Sequence, residues 1–312
     1  MTDNLTTENA TVPRQQSGAK KIFIGPHGLR AGWRFLIYIL LVIAIAACVG
    51  AIARLFGAKK ATGSVHQITP LRLSLLEGSL FFYSVIAAWI MSKIEGRQFG
   101  VYGLPTNQAL RKDFWVGLLW GFLTTSGTLL AIFAFHGVRL TGPMIKGTTV
   151  LTSCAAWTAT FLLVGLSEEF SFRGYTQFTL TTGMGFWPSA VVLSLLFGAA
   201  HMGNGGENIL GESSVVLFGL LFCLFLWRRG NLWWAVGFHM GYDWGQTFFY
   251  GVPDSGLLPY HNLFSASFNG PRWLTGGTVG PEASVFCPIA LIVVGILFSL
   301  IYREQRYRTL DS

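Results

Sequence analysis

The sequence predicts an all-α fold, a polytopic bundle of about eight transmembrane helices. Two observations carry this prediction. The chain is 52% hydrophobic and only 12% charged, whereas a soluble domain carries about 25% charged residues. Its apolar residues are gathered into long runs separated by short polar loops, as bilayer-spanning segments are. Tryptophans, 11 in all, favour the ends of these runs, where interfacial aromatic belts lie.

Eight apolar runs are interpreted as spans, in the order 33–56, 73–93, 114–136, 149–172, 187–202, 213–227, 231–250 and 284–302. The fourth, fifth and seventh spans carry ionisable residues, while the first, third and eighth are almost wholly apolar. The fifth and sixth spans are short for a hydrocarbon core about 30 Å thick. Short helices with polar residues are tolerated where they border a protein cavity. This pattern predicts an aqueous chamber inside the membrane.

The chain is predicted to form a single membrane domain. Residues 1–30 are expected to be a cytosolic disordered tail, 31–303 the transmembrane domain with its motifs in 150–250, and 304–312 a short cytosolic tail. An even number of spans puts both termini on one side, and basic residues favour the cytoplasmic side. The basic residues that support this orientation are Arg228, Arg229, Arg303, Arg306 and Arg308. Those that oppose it are Lys59, Lys60 and Arg72. We predict a plasma (inner) membrane protein with both termini cytoplasmic.

The charge and cysteine patterns exclude two classes of function. The net charge is +8, but the basic residues are scattered without a basic stripe, so nucleic acid is not an expected partner. The four cysteines lie far apart in apolar runs and form no CxxC pair. They therefore predict neither a disulfide framework nor a thiolate zinc site.

The segment SEEFSFRGY ends the fourth span with a pair of acidic residues, Glu168 and Glu169. On a helix, Glu169 and Arg173 are four residues apart and share a face, so they can pair. Glu168 lies about 100° further around the helix, which leaves it freer. A carboxylate without a cationic partner at low dielectric is suited to act as a general base. A structural ion-pair network is the alternative interpretation.

Two further helical pairs stand in later spans. Phe197 and His201 are four residues apart in LLFGAAHMGN, and His239 and Asp243 are four apart in GFHMGYDW. An imidazole one turn from a carboxylate is either oriented by it or shares a metal ion with it. Each pair alone is equally consistent with a structural hydrogen bond. Together with Glu168, they predict inward-facing acid and histidine side chains from three helices, as in a hydrolytic or metal site.

The ordered set Glu168-Glu169-x-x-x-Arg173, Phe197-x-x-x-His201 and His239-x-x-x-Asp243 resembles the motifs of the CPBP intramembrane proteases. That family includes the Rce1-type CAAX prenyl endoproteases, bacteriocin-processing proteins and the bacterial "abortive infection" membrane proteases. The segment FGVYGLP before the third span is also similar to a family feature. The resemblance covers the region 150–250 and implies peptide-bond hydrolysis within the membrane.

The resemblance implies a role for each motif residue. Glu168 would activate water with the help of His201, and His239 and Asp243 would face the tetrahedral oxyanion. Glu169, Arg173 and Phe197 would support the site. The family has been described both as metalloproteases and as metal-independent glutamate proteases, so both mechanisms remain open.

Asp243 stands where the family often has asparagine, and an ionised aspartate cannot donate to an oxyanion. It is therefore neutral, or orients His239, or binds a metal. The tentative metal ligands are Glu168, His201, His239 and Asp243, a nitrogen and oxygen set that Zn²⁺ accepts.

Other enzyme classes fit the sequence less well. HExxH and GxSxG are absent, which argues against a site-2 type zinc protease and against a serine hydrolase. Asp243 follows a glycine and a tyrosine as in presenilin-like aspartyl proteases, but no second aspartate lies in a span and a dyad needs two.

The expected partners are the lipid bilayer and a peptide substrate, either a prenylated CAAX-type tail or a membrane or secreted peptide. The loop 251–283 is rich in glycine and proline and is expected to cap or gate the chamber. Non-enzymatic alternatives are a membrane scaffold or immunity protein, or an ion-coupled transporter that uses the same residues as a proton relay.

Overall fold

The computed structural model describes residues 22–25, 28–56, 68–206 and 208–310. The predicted all-α membrane bundle is confirmed. Most of the predicted tail 1–30, together with Lys59 and Lys60, lies outside these residues. In the part of the tail that is described, strand β1 (Ile24–Gly25) pairs antiparallel with β2 (Gly28–Leu29).

Each predicted span coincides with a helix. The helices are α1 (Ala31–Leu55), α2 (Pro70–Ile94), α3 (Lys112–Ala134), α4 (Thr148–Arg173), α5 (Tyr175–Met184), α6 (Phe186–His201), α7 (Ile209–Arg229), α8 (Trp233–Trp244), α9 (Arg272–Thr275) and α10 (Phe286–Ile301). A π-helical turn, Gly245–Tyr250, continues α8. Five candidate spans are long and apolar enough to cross a membrane, formed by α1, α2, α3, α4 continued by α5, and α7.

The sixth span is longer than predicted. Its helix α7 has 21 residues and begins at Ile209 rather than at residue 213. The Asn208 side chain caps it by accepting hydrogen bonds from the backbone N–H groups of Leu210 and Gly211, at 3.0 and 3.2 Å. The prediction that this span is short was therefore wrong, because the capping asparagine was not recognised. Helix α6, with 16 residues, is short as predicted.

Helix α5 was not predicted as a separate element. Helix α4 ends at Gly174, where an added Cβ would clash with the backbone carbonyl of Phe170, and α5 follows directly. Residues 175–181 of α5 are all buried. The glycine break thus turns the chain into the bundle just after the Glu168–Arg173 motif.

Helices α3 and α8 pack together through two pairs of glycines. Gly117 and Gly121 on α3 face Gly237 and Gly241 on α8, each four residues apart. A Cβ at Gly121 would overlap the carbonyl oxygen of Phe238. Small residues at this spacing let helix backbones approach closely in membranes. The glycines therefore fix the depth and rotation of the helix that carries His239 and Asp243.

We predict that Gly121→Ala destabilises the protein by about 1–3 kcal/mol, because the added methyl group forces the two backbones apart. Gly127→Ala is the matched control, since an added Cβ at Gly127 meets no atom within 4 Å. Thermal unfolding in detergent micelles measures the difference. Equal midpoints for the two variants would show that the glycine contact does not hold α8 in place.

The loop 251–283 is anchored to the bundle. Strand β4 (Ser265–Phe268) pairs antiparallel with β3 (Val138–Thr141), which follows α3. Both ends of the loop, at Asp254 and Glu282, return to the bundle interior and line its cavity. The loop thus forms one wall of the chamber.

The C-terminal tail also packs onto the bundle. Tyr307 is buried and lies against the rings of Phe178 and Phe186, with centroids 4.9 and 4.6 Å away. Burial raises the pKa of the Tyr307 phenol above its usual range. The predicted division into one membrane domain with two tails remains a prediction.

Candidate active site

A cavity of about 670 Å³ opens between the helices and the loop 251–283. Its wall includes apolar side chains of α1, α2 and α4. The wall also includes acid and histidine side chains, namely Glu77, Glu168, His201, His239, Asp243, Asp254 and Glu282. All four residues predicted to be catalytic therefore face one cavity, supplied by α4, α6 and α8.

Glu168 and Glu169 occupy different environments, as their angular separation predicted. Glu169 is fully buried, and its Oε1 lies 3.4 Å from Nη1 of the fully buried Arg173. The Glu168 side chain is 22% exposed and lines the cavity. Within the described residues, no Lys or Arg forms an ion pair with Glu168. Its carboxylate is thus placed to interact with water or a substrate.

Arg173 connects the three motifs. Its guanidinium lies over the ring of Phe197 at 4.3 Å and over that of Phe222 on α7 at 5.3 Å. The Phe222 ring in turn stacks on the His239 imidazole, with centroids 5.1 Å apart. Cation–π contacts are strong when desolvated. Phe197 and Arg173 therefore support the site from behind.

His239 is held by carboxylates on both ring nitrogens. Its Nδ1 donates to Glu169 Oε1 at 3.0 Å, since an ionised carboxylate can only accept. Its Nε2 lies 3.6 Å from Glu168 Oε2 and 3.4 Å from Asp243 Oδ2. The Glu169 contact fixes the orientation of the ring. Nε2 is thereby presented to the cavity between Glu168 and Asp243.

His201 reaches the same cavity from the end of α6. Its Nδ1 bonds to the Phe197 carbonyl oxygen at 2.8 Å, and the Phe197 and His201 rings lie 4.7 Å apart. In the described part of the chain, no contact within 4 Å joins His201 to the carboxylates of Glu168 or Asp243. Its Nε2 is therefore the nitrogen left for a substrate or water.

Three cavity residues were missed by the sequence reasoning. Glu77 is the one acidic residue of α2, in LSLLEGSL, and this isolated charge in an apolar run was a usable signal. Asp254 and Glu282 belong to the loop 251–283, and no local pattern showed that the loop folds inward. Burial, with the neighbouring charges of Asp243 and Glu282, raises the pKa of Asp254 well above its ordinary range.

Asp243, Asp254 and Glu282 form an acidic cluster in which one carboxylate oxygen of each lies within 4.8 Å of the others. Neutral donors bond to two of them. Gln246 donates to Glu282 at 2.9 Å, Thr247 to Asp254 at 2.8 Å and the Ser255 hydroxyl to Glu282 at 2.8 Å. The sequence argument against an aspartate pair considered only aspartates within the spans. It was incomplete, because Asp254 lies outside the spans but close to Asp243.

The predicted zinc ligands do not converge on a single point. His239 Nε2 lies 3.6 Å from Glu168 Oε2 and 3.4 Å from Asp243 Oδ2, while His201 contacts neither carboxylate. Within the described residues, Asp243, Asp254 and Glu282 form the group of three or more candidate ligands that is close enough for one ion. A zinc site formed by Glu168, His201, His239 and Asp243 does not fit this arrangement.

Comparison with known proteins supports the family resemblance. Residues 150–245 match the family model described as type II CAAX prenyl endopeptidase Rce1-like. The match covers less than a third of the chain but contains every predicted motif residue, from Glu168 to Asp243. A search of curated proteins found no match to the chain. The resemblance to the CPBP family inferred from the three motifs is thereby confirmed.

Proposed function

We propose that this chain, with its Rce1-like region at 150–245, is an intramembrane endopeptidase that hydrolyses a peptide bond with water activated by Glu168. The observation that carries the proposal is the position of the His239 imidazole. Within the membrane bundle, its Nε2 contacts the cavity-facing Glu168, and its Nδ1 contacts Glu169 of the buried Glu169–Arg173 pair. A general base beside an oriented imidazole, in a water-accessible chamber, is the arrangement that peptide hydrolysis needs.

In the proposed reaction, Glu168 takes a proton from water as the oxygen attacks the substrate carbonyl. His239, oriented through Glu169 and protonated on both ring nitrogens, donates from Nε2 to the oxyanion together with Asp243. Glu168 then returns its proton to the leaving amine. His201 Nε2, free of its own helix, is placed to bind the water or the carbonyl oxygen. The geometry supports the metal-independent glutamate mechanism over the zinc mechanism, because the four predicted zinc ligands do not converge.

Asp243 can assist an oxyanion only if it carries a proton. Three carboxyl groups lie within 4.8 Å of one another, and His239 beside Asp243 is the one cationic candidate that contacts them among the described residues. One imidazolium cannot balance three carboxylates at low dielectric, so the three cannot all be ionised. A proton shared within the acidic cluster gives Asp243 an O–H to donate. It would then do what an asparagine amide does at the same position.

We therefore predict that Asp243→Asn retains cleavage within about tenfold of the wild type, since an amide also donates a hydrogen bond. Asp243→Leu, which has similar volume and no polar atom, should lose about 10²–10³-fold in kcat. Initial cleavage rates of the reconstituted variants provide the measurement. If Asp243→Asn folds normally but does not cleave the peptide, the carboxylate itself is required, as an ionised partner or as a metal ligand.

The substrate is proposed to be either a prenylated CAAX-type tail or a membrane or secreted peptide. The cavity supports both because its apolar lining residues suit a lipid chain or an apolar segment and its acid and histidine residues suit the peptide bond. The proposed location remains the plasma (inner) membrane with cytoplasmic termini.

The proposal is tested by adding purified protein in lipid vesicles to two reporter peptides. One carries a farnesylated C-terminal tail and the other an unmodified apolar segment, and mass spectrometry identifies the products. Cleavage of at least one peptide is expected. If the protein is folded, as judged by cooperative unfolding, and cleaves neither peptide, an endopeptidase acting on either class of substrate is contradicted.

An ion-coupled transporter is the second candidate, because a row of carboxyl and imidazole groups from Glu77 to Glu282 is what a proton relay requires. A pH-sensitive dye inside the same vesicles separates the two functions. Transport would be favoured if the wild type carries a proton flux but cleaves no peptide, and if Glu168→Gln loses that flux. A scaffold or immunity protein would show neither activity.

A further inference from the structure

We propose that the cavity contains a subsite for a basic side chain, Lys or Arg, of the substrate, with Glu77 as the residue that pairs with it. The inference rests on the proposed endopeptidase function and specifies its substrate class. The substrate would combine an apolar or lipid-bearing stretch with a basic residue close to the bond that is cut.

Glu77 is a carboxylate without a Lys or Arg partner in a largely apolar wall, where the Ser167 hydroxyl bonds to the carboxyl group but one carboxylate oxygen has no partner. It lies about one third of the way along α2, is 7% exposed, and lines the cavity with Leu73, Leu76 and Leu80 of the same helix. Its Oε2 accepts no hydrogen bond from any described residue. A buried carboxylate without a partner is costly, and a charged residue within a membrane segment is expected to have a functional partner. No Lys or Arg of the described chain lines the cavity beside Glu77, and the cationic candidate in the same cavity is the imidazole of His239.

The charge of the whole cavity favours a cationic guest. Five carboxyl groups line it, those of Glu77, Glu168, Asp243, Asp254 and Glu282, while no Lys or Arg of the described chain does. Arg173 stands behind the wall and is engaged with Glu169. His201 and His239 also line it, so the five carboxyl groups outnumber the two imidazoles. A cleft with an excess of one sign of charge and low-dielectric walls concentrates the opposite charge. Substrates with a basic residue are therefore attracted over neutral or acidic ones.

The surroundings of Glu77 suit an organic cation better than a metal ion. A divalent cation such as Ca²⁺ takes six to eight oxygen ligands, but the cavity wall next to Glu77 is formed mainly by leucines and by Phe161 and Val164. Lys and Arg carry long aliphatic stems that lie along apolar walls while the charged end finds a carboxylate. The site thus matches the shape as well as the charge of a basic side chain.

Hydrogen bonds between α2 and α4 fix the position of Glu77 relative to the reacting groups. The Ser74 and Thr160 hydroxyls are 2.8 Å apart, and those of Ser84 and Ser171 are 2.9 Å apart, one pair on each side of Glu77 along α2. Glu77 and Glu168 line the same cavity from these two hydrogen-bonded helices. A basic side chain bound at Glu77 would therefore lie in the cavity that holds the scissile bond.

Binding of two synthetic peptides tests the inference without requiring cleavage. Both have a twelve-residue leucine and alanine stretch with a fluorescent label, followed by lysine in one and norleucine in the other. Norleucine keeps the aliphatic stem and removes the charge. Fluorescence anisotropy is measured with Glu168→Gln protein, which prevents cleavage, in phosphatidylcholine nanodiscs containing chelator.

The lysine peptide should bind about tenfold more tightly than the norleucine peptide, and Glu77→Gln should bring this ratio close to one. Glu304→Gln is the matched control, because Glu304 is exposed and pairs with Arg306 outside the cavity. Bilayer partitioning of each peptide is the same for all variants and cancels in the comparison. Measurable norleucine-peptide binding reports that Glu77→Gln is folded.

A ratio near one in the parent protein, or a ratio that Glu77→Gln leaves unchanged, would overturn the subsite. So would a lysine preference that is absent in chelator and appears only in a parallel sample with a divalent ion in place of chelator, since the carboxylates would then hold a metal. Cleavage by the wild type without lysine preference refutes this inference alone. Lysine preference without any cleavage refutes the proposed peptidase function and leaves the binding site standing.

Discussion

Glu168→Gln will reduce the rate of peptide cleavage about 10²–10⁴-fold, the contribution of a general base to catalysis. The amide has nearly the same size as the carboxylate but cannot take a proton from water. The Glu168 side chain is 22% exposed to the cavity and pairs with no Lys or Arg of the described chain. Its replacement should therefore remove the chemistry without disturbing the buried charges.

Cleavage is measured with the reporter peptide in vesicles, and thermal unfolding is measured on the same preparation. Glu304→Gln makes the same chemical change at an exposed acid outside the cavity and should retain the wild-type rate. Substantial cleavage by Glu168→Gln would assign the base elsewhere, with Asp243 and Asp254 as the next candidates.

Glu169→Gln and Arg173→Met will each destabilise the protein by about 3–5 kcal/mol, because each leaves a fully buried charge without its partner. Both side chains are 0% exposed. The glutamine oxygen can still accept from His239 Nδ1, so the loss in Glu169→Gln reports the ion pair rather than that hydrogen bond. Thermal unfolding midpoints in detergent micelles measure the effect.

The double variant Glu169→Gln/Arg173→Met separates pairing from packing. Removal of both charges together should cost less than the sum of the single changes, as is found for buried ion pairs replaced by neutral groups. Strict additivity of the two losses would show that Glu169 and Arg173 do not stabilise each other. Arg306→Met, in the exposed pair with Glu304, serves as the control and should shift the midpoint little.

The helical spans and the three motifs were predictable from local sequence. Apolar runs define the membrane helices, and a spacing of four residues places Glu169 beside Arg173 and His239 beside Asp243. The different exposure of Glu168 and Glu169 follows from 100° of helical rotation. These are properties of single helices, which the sequence encodes within one or two turns.

The rest of the site depends on contacts between distant segments. The loop 251–283 brings Asp254 and Glu282 to Asp243. Both residues follow Asp243 by more than ten positions in the sequence, so no short-range pattern shows this contact. Phe222 stacks on His239 from another helix. By contrast, Glu77 and the glycine pairs at 117 and 121, and at 237 and 241, were visible in the sequence. Their role is apparent only once α2, α3, α4 and α8 are packed together.

The most direct test of the central claim is cleavage in ¹⁸O-labelled water by wild-type protein stripped of metal, with the metal content measured on the same sample. Metal-free protein should cleave the reporter peptide, and each new C-terminal carboxylate should gain one ¹⁸O atom. Cleavage that appears only after Zn²⁺ is restored would contradict the metal-independent mechanism, and a product without ¹⁸O would contradict hydrolysis by water.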